Sequence, residues 1–200
     1  MAIEYLHSQN IIYRDLKPEN AVVDQNGYLC LVDLGTAKVL NEDNGYRTFT
    51  IIGTPHYMAP EVAEGQGYTF STDLWSLGII LFEMVCGRLP FGNDADDPYQ
   101  ILDEVANGGE PTFPQDYEDP SGMHLILELL KRDPVERHVD NFVKIKNRAF
   151  FCDFDWEKLG KKVMNSPFKI NREKLNISIY RKLEDFIEEE KKDLGDPIKS

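Results

Sequence analysis

One short segment constrains this chain more than any other, namely residues 13–20, which read YRDLKPEN. It places a carboxylate, an ammonium group and a carboxamide within six residues, as Asp15, Lys17 and Asn20. A second carboxylate, Asp33, follows Asn20 by thirteen residues and begins the tripeptide DLG. A lone Asp is most often a solvated loop residue, but the whole set at this spacing is rare by chance. It offers a base for a hydroxyl, a cation for a phosphoryl group and oxygen ligands for a metal, which indicates a phosphoryl-transfer site.

Two short apolar runs follow this segment, at residues 21–24 and 28–32, and the tripeptide at 25–27 joins them with the dipeptide Asn-Gly. Asn-Gly between apolar runs is the strongest short-range signal for a β-hairpin. The hairpin would bring together Asn20, just before its first strand, and Asp33, just after its second strand. The sequence therefore predicts that these two residues share one metal ion.

The rest of the chain predicts one long loop and several helices. Residues 36–60 are polar, contain Gly and Pro and lack periodicity, which is typical of a functional loop. A helix capped by Ser71 or Thr72 should run through Cys86 and stop at Gly87, and its apolar residues on nearly every face predict burial at the domain centre. Further helices are predicted from Pro98 to Asn107, from a cap at Ser121, and over Phe142 to Phe150.

The composition excludes several classes of protein and of site. The formal net charge of -13 argues against sequence-independent nucleic-acid binding, which requires clustered Lys and Arg. Cys30, Cys86 and Cys152 are odd in number and widely spaced, so they indicate neither a disulfide framework nor a zinc site. We find no signal peptide and no apolar stretch long enough to span a membrane, and we expect a cytoplasmic location.

The motifs resemble those of eukaryotic protein kinases over about residues 1–165. YRDLKPEN resembles the catalytic loop, with Tyr13 where most families carry His, as in the AGC group. Residues 53–61, GTPHYMAPE, resemble the segment that closes the activation loop. Residues 73–78, DLWSLG, resemble the start of the central helix of the C-terminal lobe. Within the AGC group the cyclic-nucleotide-dependent kinases are the most similar, and the cGMP-dependent branch fits best.

The resemblance implies a mainly α fold with a small β-hairpin, which is the C-terminal lobe of a kinase without the N-terminal lobe. No glycine-rich loop, no Val-Ala-x-Lys strand and no partner Glu precede Asp15. Ile3 and Leu6 fit the last turns of a helix, so we expect the chain to begin within the first large helix of that lobe. The implied domains are a truncated C-lobe at residues 1–165 and part of an AGC-type tail, partly disordered, at residues 166–200.

The resemblance also implies roles for the polar residues, with ATP and Mg²⁺ as cofactors. Asp15 would be the catalytic base, Lys17 would neutralise the moving phosphoryl group, and the hydroxyl of Thr54 would lie between them. Asn20 and Asp33 would be the metal ligands. The residues assigned to the ATP site are Lys17, Glu19, Asn20, Val22 and Asp33.

Two apolar residues at this site have a structural interpretation as well. Val22 would form the floor under adenine, although alone it would be taken for a core residue. Leu34 replaces the usual Phe between Asp33 and Gly35, and we expect it to pack into the core and to set the direction of Asp33.

Three charged residues have a structural role by resemblance. Asp73 would tie down the backbone of the catalytic loop, whereas its simplest interpretation is a helix cap. Glu61 and Arg137 would form a buried ion pair that anchors the activation segment.

The resemblance also predicts substrate choice. Glu19 and Glu83 match carboxylates that bind a substrate Arg two residues before the phosphorylated site. An unpaired carboxylate on an apolar helix is costly unless a cation meets it, so an internal salt bridge is the alternative for Glu83. The expected partners are proteins with basic residues before Ser or Thr.

A switch is predicted in the activation loop. Thr50 lies where AGC kinases carry their activating phosphate, and Arg14 and Lys38 are cations that could receive it. Thr48 is the competing site, and an unmodified surface loop is the alternative.

Taken together, the motifs predict a serine/threonine kinase that transfers the γ-phosphoryl group of ATP to protein hydroxyls. The alternatives are a pseudokinase or C-lobe-only interaction scaffold, and a truncated product without function. The four polar residues of the site favour the enzyme, whereas the missing phosphate-covering loop favours the alternatives. This chain contains no cyclic-nucleotide-binding module, so a regulatory module of that kind would lie outside it.

Overall fold

The computed structural model describes residues 1–137 and 142–167. Apart from its first two residues, the predicted C-terminal tail at 166–200 lies outside the described residues. The chain divides into two compact units, one formed by residues 1–22 and 30–163 and the other by residues 23–29 and 164–200. The first unit contains all the candidate site residues.

The described residues are rich in helix and contain four short strands. The helices are α1 (Ala2–Ser8), α2 (Pro60–Ala63), α3 (Ser71–Cys86), α4 (Pro98–Asn107), α5 (Pro120–Leu129), α6 (Phe142–Lys146) and α7 (Trp156–Gly160). The strands are β1 (Ile11–Ile12), β2 (Ala21–Val23), β3 (Leu29–Leu31) and β4 (Lys38–Val39). Single 3₁₀ turns occur at Pro18–Asn20, Glu42–Asn44, Pro55–Tyr57 and Ala149–Phe151.

The strands form two separate two-stranded sheets. Strands β2 and β3 pair as the predicted hairpin. In its turn, the side chain of Asp24 accepts hydrogen bonds from the amides of Asn26 and Tyr28 at 2.8 and 2.9 Å, and Gly27 adopts a φ of 85°. Strands β1 and β4 pair antiparallel, with Ile11 opposite Val39, and this sheet was not predicted. Two-residue strands carry too little periodicity to be recognised in a sequence.

Helix α3 forms the centre of the first unit. Leu74, Trp75, Ile79 and Phe82 on this helix are completely buried, as its apolar character predicts. Gly87 ends the helix in the left-handed conformation at a φ of 67°, which confirms the predicted stop. The predicted cap was wrong, because Ser71 and Thr72 are helical and Phe70 precedes them without a capping hydrogen bond.

Helix α5 and the last helices also differ from the prediction. Asp119 caps α5 by accepting from the Ser121 amide, so Ser121 is already inside the helix. Helix α6 ends at Lys146 instead of Phe150, because the aromatic residues that follow pack on one another and on Trp156 of α7 instead of extending the helix. The rings in this cluster belong to Phe150, Phe151, Phe154 and Trp156.

Among the described residues, no helix is both long enough and apolar enough to cross a bilayer.

Candidate active site

The catalytic loop is held to helix α3 by Asp73, which is completely buried in the first turn of that helix. Its two carboxylate oxygens accept hydrogen bonds from the backbone amides of Tyr13 and Arg14, each at 2.9 Å. Arg14 adopts a left-handed backbone conformation at a φ of 72°, which is unfavourable for a residue with a Cβ atom. The two bonds to Asp73 therefore fix a strained turn immediately before Asp15.

His7 completes the surroundings of Asp73, and it was missed in the sequence. Its Nε2 atom lies 2.7 Å from Oδ2 of Asp73. The imidazole ring packs between Phe70 and Phe142, with ring centroids 5.0 and 5.6 Å away. His7 and Asp73 are far apart in the sequence, so no local pattern joins them and only the tertiary fold reveals the pair.

Asp15 lies at the centre of a hydrogen-bond network. The hydroxyl of Thr54 donates to Oδ1 of Asp15 at 2.8 Å, and Nζ of Lys17 donates to the same hydroxyl oxygen at 2.8 Å. Nζ of Lys17 also lies 3.0 Å from Oδ2 of Asp15. Asn20 donates from Nδ2 to the backbone oxygen of Asp15 at 2.9 Å and to its Oδ2 at 3.2 Å. One carboxylate, one ammonium group, one hydroxyl and one carboxamide thus share a single site.

A glycine allows the activation segment to approach the catalytic loop. Gly53 has a φ of 118°, and a Cβ atom built there would lie 2.6 Å from the backbone oxygen of Arg14. Any other residue would clash with that backbone and would strain its own. The close approach is what places the hydroxyl of Thr54, the next residue, on Asp15.

Asn20 and Asp33 are brought near one another by the β2–β3 hairpin, as expected. The amide of Val32 donates to the backbone oxygen of Asn20 at 2.9 Å, so the residue before Asp33 pairs with Asn20. Asn20 is buried and uses its Nδ2 for Asp15, which leaves Oδ1 as an acceptor. Asp33 is exposed, and its Oδ1 accepts from the amide of Gly35 at 3.0 Å.

These two oxygen donors suit Mg²⁺, which in proteins is commonly bound by one or two side chains together with water and phosphate oxygens. In the part of the chain that the structure describes, no group of three or more His, Cys, Asp or Glu could hold a metal ion.

The apolar residues beside Asp33 are exposed. Val22 is 43% exposed and Leu34 is 57% exposed. The expectation that Leu34 packs into the core was wrong, since it lies in the turn after β3 and on the surface of the described residues. Val22 likewise does not belong to the core.

Besides burial, the two carboxylates predicted to bind substrate, those of Glu83 and Glu19, both raise the pKa of Tyr57. The hydroxyl of Tyr57 donates to Oε2 of Glu83 at 2.8 Å. Burial raises the pKa of Tyr57 well above its ordinary value, and the carboxylates of Glu83 and then Glu19 raise it further. The alternative of an internal salt bridge is not realised within the described residues, where Glu83 pairs with this neutral hydroxyl. Glu83 is half-buried and Glu19 is exposed, and both carboxylates influence the phenol of Tyr57.

The activation segment contains one buried and one exposed threonine. Thr48 is 1% exposed and its hydroxyl accepts from Nζ of Lys38 at 3.1 Å, whereas Thr50 is exposed. Arg14 donates from Nε to the backbone oxygen of Thr36 at 2.6 Å. The two predicted receivers of a phosphate, Arg14 and Lys38, thus bind other groups of the same segment here.

Glu61 and Arg137 form a buried ion pair through Oε1 and Nη2. The guanidinium group also lies over the ring of Trp75, 5.4 Å from its centroid, and donates to the backbone oxygen of Lys131 at 3.0 Å. Burial lowers the pKa of Arg137, and the neighbouring Glu61 opposes this shift. The pair joins α2, which ends the activation segment, to the chain after α5.

Comparison with known proteins agrees with the geometry of this site. A profile described as the protein kinase domain matches residues 1–151. A cGMP-dependent protein kinase of Plasmodium berghei is 45% identical over 170 residues, which cover 84% of this chain and 19% of the relative. The cGMP-dependent protein kinase of Toxoplasma gondii is 46% identical, with 84% and 17% covered. A cAMP-dependent protein kinase catalytic subunit of Dictyostelium discoideum is 40% identical, with 84% and 25% covered. The chain spans a quarter or less of the length of these relatives.

Proposed function

The chain belongs to the protein kinase domain family, and we propose that it supplies the C-terminal lobe of an AGC-type serine/threonine kinase. In this proposal the γ-phosphoryl group of ATP is transferred to a Ser or Thr hydroxyl of a protein. The observation that carries the proposal is the network of Asp15, Lys17 and Thr54, together with Asn20 and Asp33 on the hairpin. The names of the similar proteins, which include cGMP- and cAMP-dependent protein kinases, support the same reaction.

Asp15 acts as the base in this reaction. Thr54 and Lys17 orient its carboxylate, so that it accepts the proton of the attacking hydroxyl. Lys17 also places a positive charge where negative charge moves with the phosphoryl group. Asn20 and Asp33 would hold Mg²⁺, which when bound neutralises the charge of the nucleotide phosphates.

We propose that residues 1–165 form the C-terminal lobe and residues 166–200 form part of an AGC-type tail. The lobe assignment rests on the position of Asp15, because the residues before it contain no glycine-rich loop that could cover phosphates. ATP would be held from one side only by these 200 residues. We therefore expect the chain alone to transfer phosphate very slowly or not at all.

The test is the substitution Asp15→Asn in the full-length protein. We expect kcat to fall by about 100- to 10,000-fold, the usual contribution of a general base, while ATP affinity stays the same. Asp116→Asn is the matched control, because Asp116 is exposed and lies outside the site. Phosphotransfer that persists in Asp15→Asn would overturn the role of Asp15. ATP binding without any turnover by the wild-type protein would instead favour a non-catalytic scaffold.

The proposed substrates are proteins with a basic residue before the target Ser or Thr. Glu83 and Glu19 support this, since both carboxylates lie near the phenol of Tyr57 and Glu83 has no cationic partner among the described residues. A regulatory cyclic-nucleotide-binding module is proposed only for the full-length protein, from the names of the relatives. A cytoplasmic location stays a prediction from the sequence.

We also propose that phosphorylation of Thr50 activates the enzyme. The exposure of Thr50 and the burial of Thr48 support this choice between the two hydroxyls, since a modifying enzyme must reach its target. A phosphate on Thr50 would add nearly two negative charges and three acceptor oxygens. Arg14 and Lys38 are the cations that would receive it.

A further inference from the structure

Tyr68 connects the activation segment to the chain that leads into helix α3. It is 3% exposed, and its hydroxyl donates to the backbone oxygen of Thr50 at 2.5 Å. Its backbone pairs with Thr48 in both directions, at 3.0 Å from the Thr48 amide and 2.9 Å from the Tyr68 amide. Tyr68 thus binds Thr50 through its side chain and Thr48 through its backbone.

The same phenol lies against Arg14. The Arg14 guanidinium and the Thr48 hydroxyl both favour ionisation of Tyr68, but burial is the larger influence and raises its pKa above the ordinary value. The phenol therefore stays neutral at physiological pH and keeps its proton for the Thr50 oxygen. Arg14 and Tyr68 line one small cavity together with Asp15 and Thr54.

We propose that Tyr68 is a positioning residue for the phosphoryl transfer. Its hydroxyl ties the backbone of Thr50 to Arg14, the neighbour of Asp15, and so holds the activation segment on the catalytic loop before Thr50 carries a phosphate. This inference rests on the proposed function. It follows that the Tyr68 hydroxyl and a phosphate on Thr50 make the same connection in two ways, because a phosphate would pair with Arg14 directly.

Two ties between the same elements are not additive, because either one alone keeps them together. Removing the Tyr68 hydroxyl should therefore matter when Thr50 is unmodified and should matter little once Thr50 is phosphorylated. A tyrosine that only fills the core would behave differently, since its substitution would weaken both forms alike.

The experiment uses the full-length protein with Tyr68→Phe, which keeps the ring and removes the hydroxyl. The unmodified form is prepared by phosphatase treatment and by the Thr50→Ala background, and mass spectrometry verifies the state of Thr50. Tyr99→Phe is the matched control, because the side chain of Tyr99 is 82% exposed. We expect kcat of the unmodified form to fall about tenfold, the effect of one lost hydrogen bond, and kcat of the phosphorylated form to change less than twofold.

Hydrogen exchange of residues 47–53 gives a second reading that does not depend on turnover. We expect faster exchange in Tyr68→Phe than in Tyr99→Phe, and a smaller difference after phosphorylation of Thr50. An equal loss of kcat in both phosphorylation states, or unchanged exchange in this segment, would overturn the role of Tyr68. A wild-type protein without phosphotransfer would overturn the proposed function instead, and the exchange data would then still decide whether the Tyr68 hydroxyl holds residues 47–53 in place.

Discussion

The two sides of the site differ in how firmly the chain holds them. On the side proposed to meet the substrate, Lys17 and Thr54 bind the carboxylate of Asp15, and buried Asp73 binds the backbone of the two residues Tyr13 and Arg14. On the side proposed to meet the nucleotide, Val22 and Leu34 are exposed, at 43% and 57%. The comparison teaches that contacts among the described residues already fix the carboxylate of Asp15, whereas the apolar side chains proposed for the nucleotide are left uncovered by them.

The physical origin of the difference is burial. A buried carboxylate that accepts hydrogen bonds from two backbone amides is costly to remove, because both amides would be left without an acceptor. Exposed apolar side chains gain nothing until another surface covers them, and at about 25 cal/mol per Å² they supply binding energy to whatever does so. Burial therefore explains both the fixed position of the loop before Asp15 and the uncovered apolar surface at Val22 and Leu34.

Apart from Asp15 itself, the largest effect is expected at Asp73. Asp73→Ala leaves the amides of Tyr13 and Arg14 without an acceptor, and the free energy of unfolding should fall by about 3 kcal/mol. The strained turn at Arg14 would relax, so kcat should fall by roughly 100-fold because misplaced catalytic groups are that costly. Chemical denaturation and steady-state kinetics of the full-length protein measure both.

Asp73→Asn is a milder substitution at the same position, and it shows how far the loss depends on the number of acceptor oxygens. Its carboxamide keeps one acceptor oxygen and should recover part of the stability. If Asp73→Ala leaves both kcat and the denaturation midpoint unchanged, the substrate side does not depend on this anchor and the comparison fails.

The next effect concerns the two threonines of the activation segment. Thr50→Ala should lower kcat by roughly 10- to 100-fold, because it removes the phosphate that would form charge-assisted hydrogen bonds with Arg14. Thr48→Ala should change kcat much less, but it should lower the free energy of unfolding by about 1 kcal/mol through loss of the bond from Lys38. Phosphopeptide mapping and kinetics of the full-length protein test the pair, and fully active enzyme with unmodified Thr50 contradicts the switch.

Substrate choice gives a narrower effect, which is confined to kcat/KM for one class of peptide. Glu83→Gln keeps an acceptor for the hydroxyl of Tyr57 and removes the charge, so the fold should be preserved. For peptides with Arg two residues before the target, kcat/KM should fall by about 10- to 100-fold, the value of one charge-assisted hydrogen bond. Peptides with a neutral residue there serve as the control and should be unaffected. A wild-type enzyme that shows no preference for Arg would remove the assignment of Glu83 and Glu19.

The sequence predicted best where neighbouring residues determine the structure. The hairpin turn around Asn26 and the stop of helix α3 at Gly87 depend on local backbone preferences, and both are confirmed. The grouping of Asp15, Lys17 and Asn20 is also local, since they lie within six residues.

The sequence predicted poorly where distant residues decide the structure. His7 meets Asp73, and Tyr68 meets Thr50, only because the tertiary fold brings them together. The exposure of Leu34 was missed for a related reason, because the apolar character of a residue does not say whether another surface covers it. Contacts between residues that are close in the sequence can thus be predicted from motifs. Contacts between residues that are distant in the sequence become known only from the tertiary structure.

The smallest effect is expected at Val22, on the open side of the site. Because this side chain is 43% exposed, Val22→Ala should change the free energy of unfolding by no more than about 0.5 kcal/mol. If Val22 contacts adenine in the full-length protein, loss of two methyl groups should still raise the KM for ATP several-fold, by roughly 1 kcal/mol of apolar contact. Leu29→Ala is a control at a residue that is also exposed, at 65%, and to which no contact with ATP is assigned, and it should leave the KM for ATP unchanged. A large loss of stability without a change in KM would mean that Val22 is a core residue, and the distinction between a rigid substrate side and an open nucleotide side would no longer hold there.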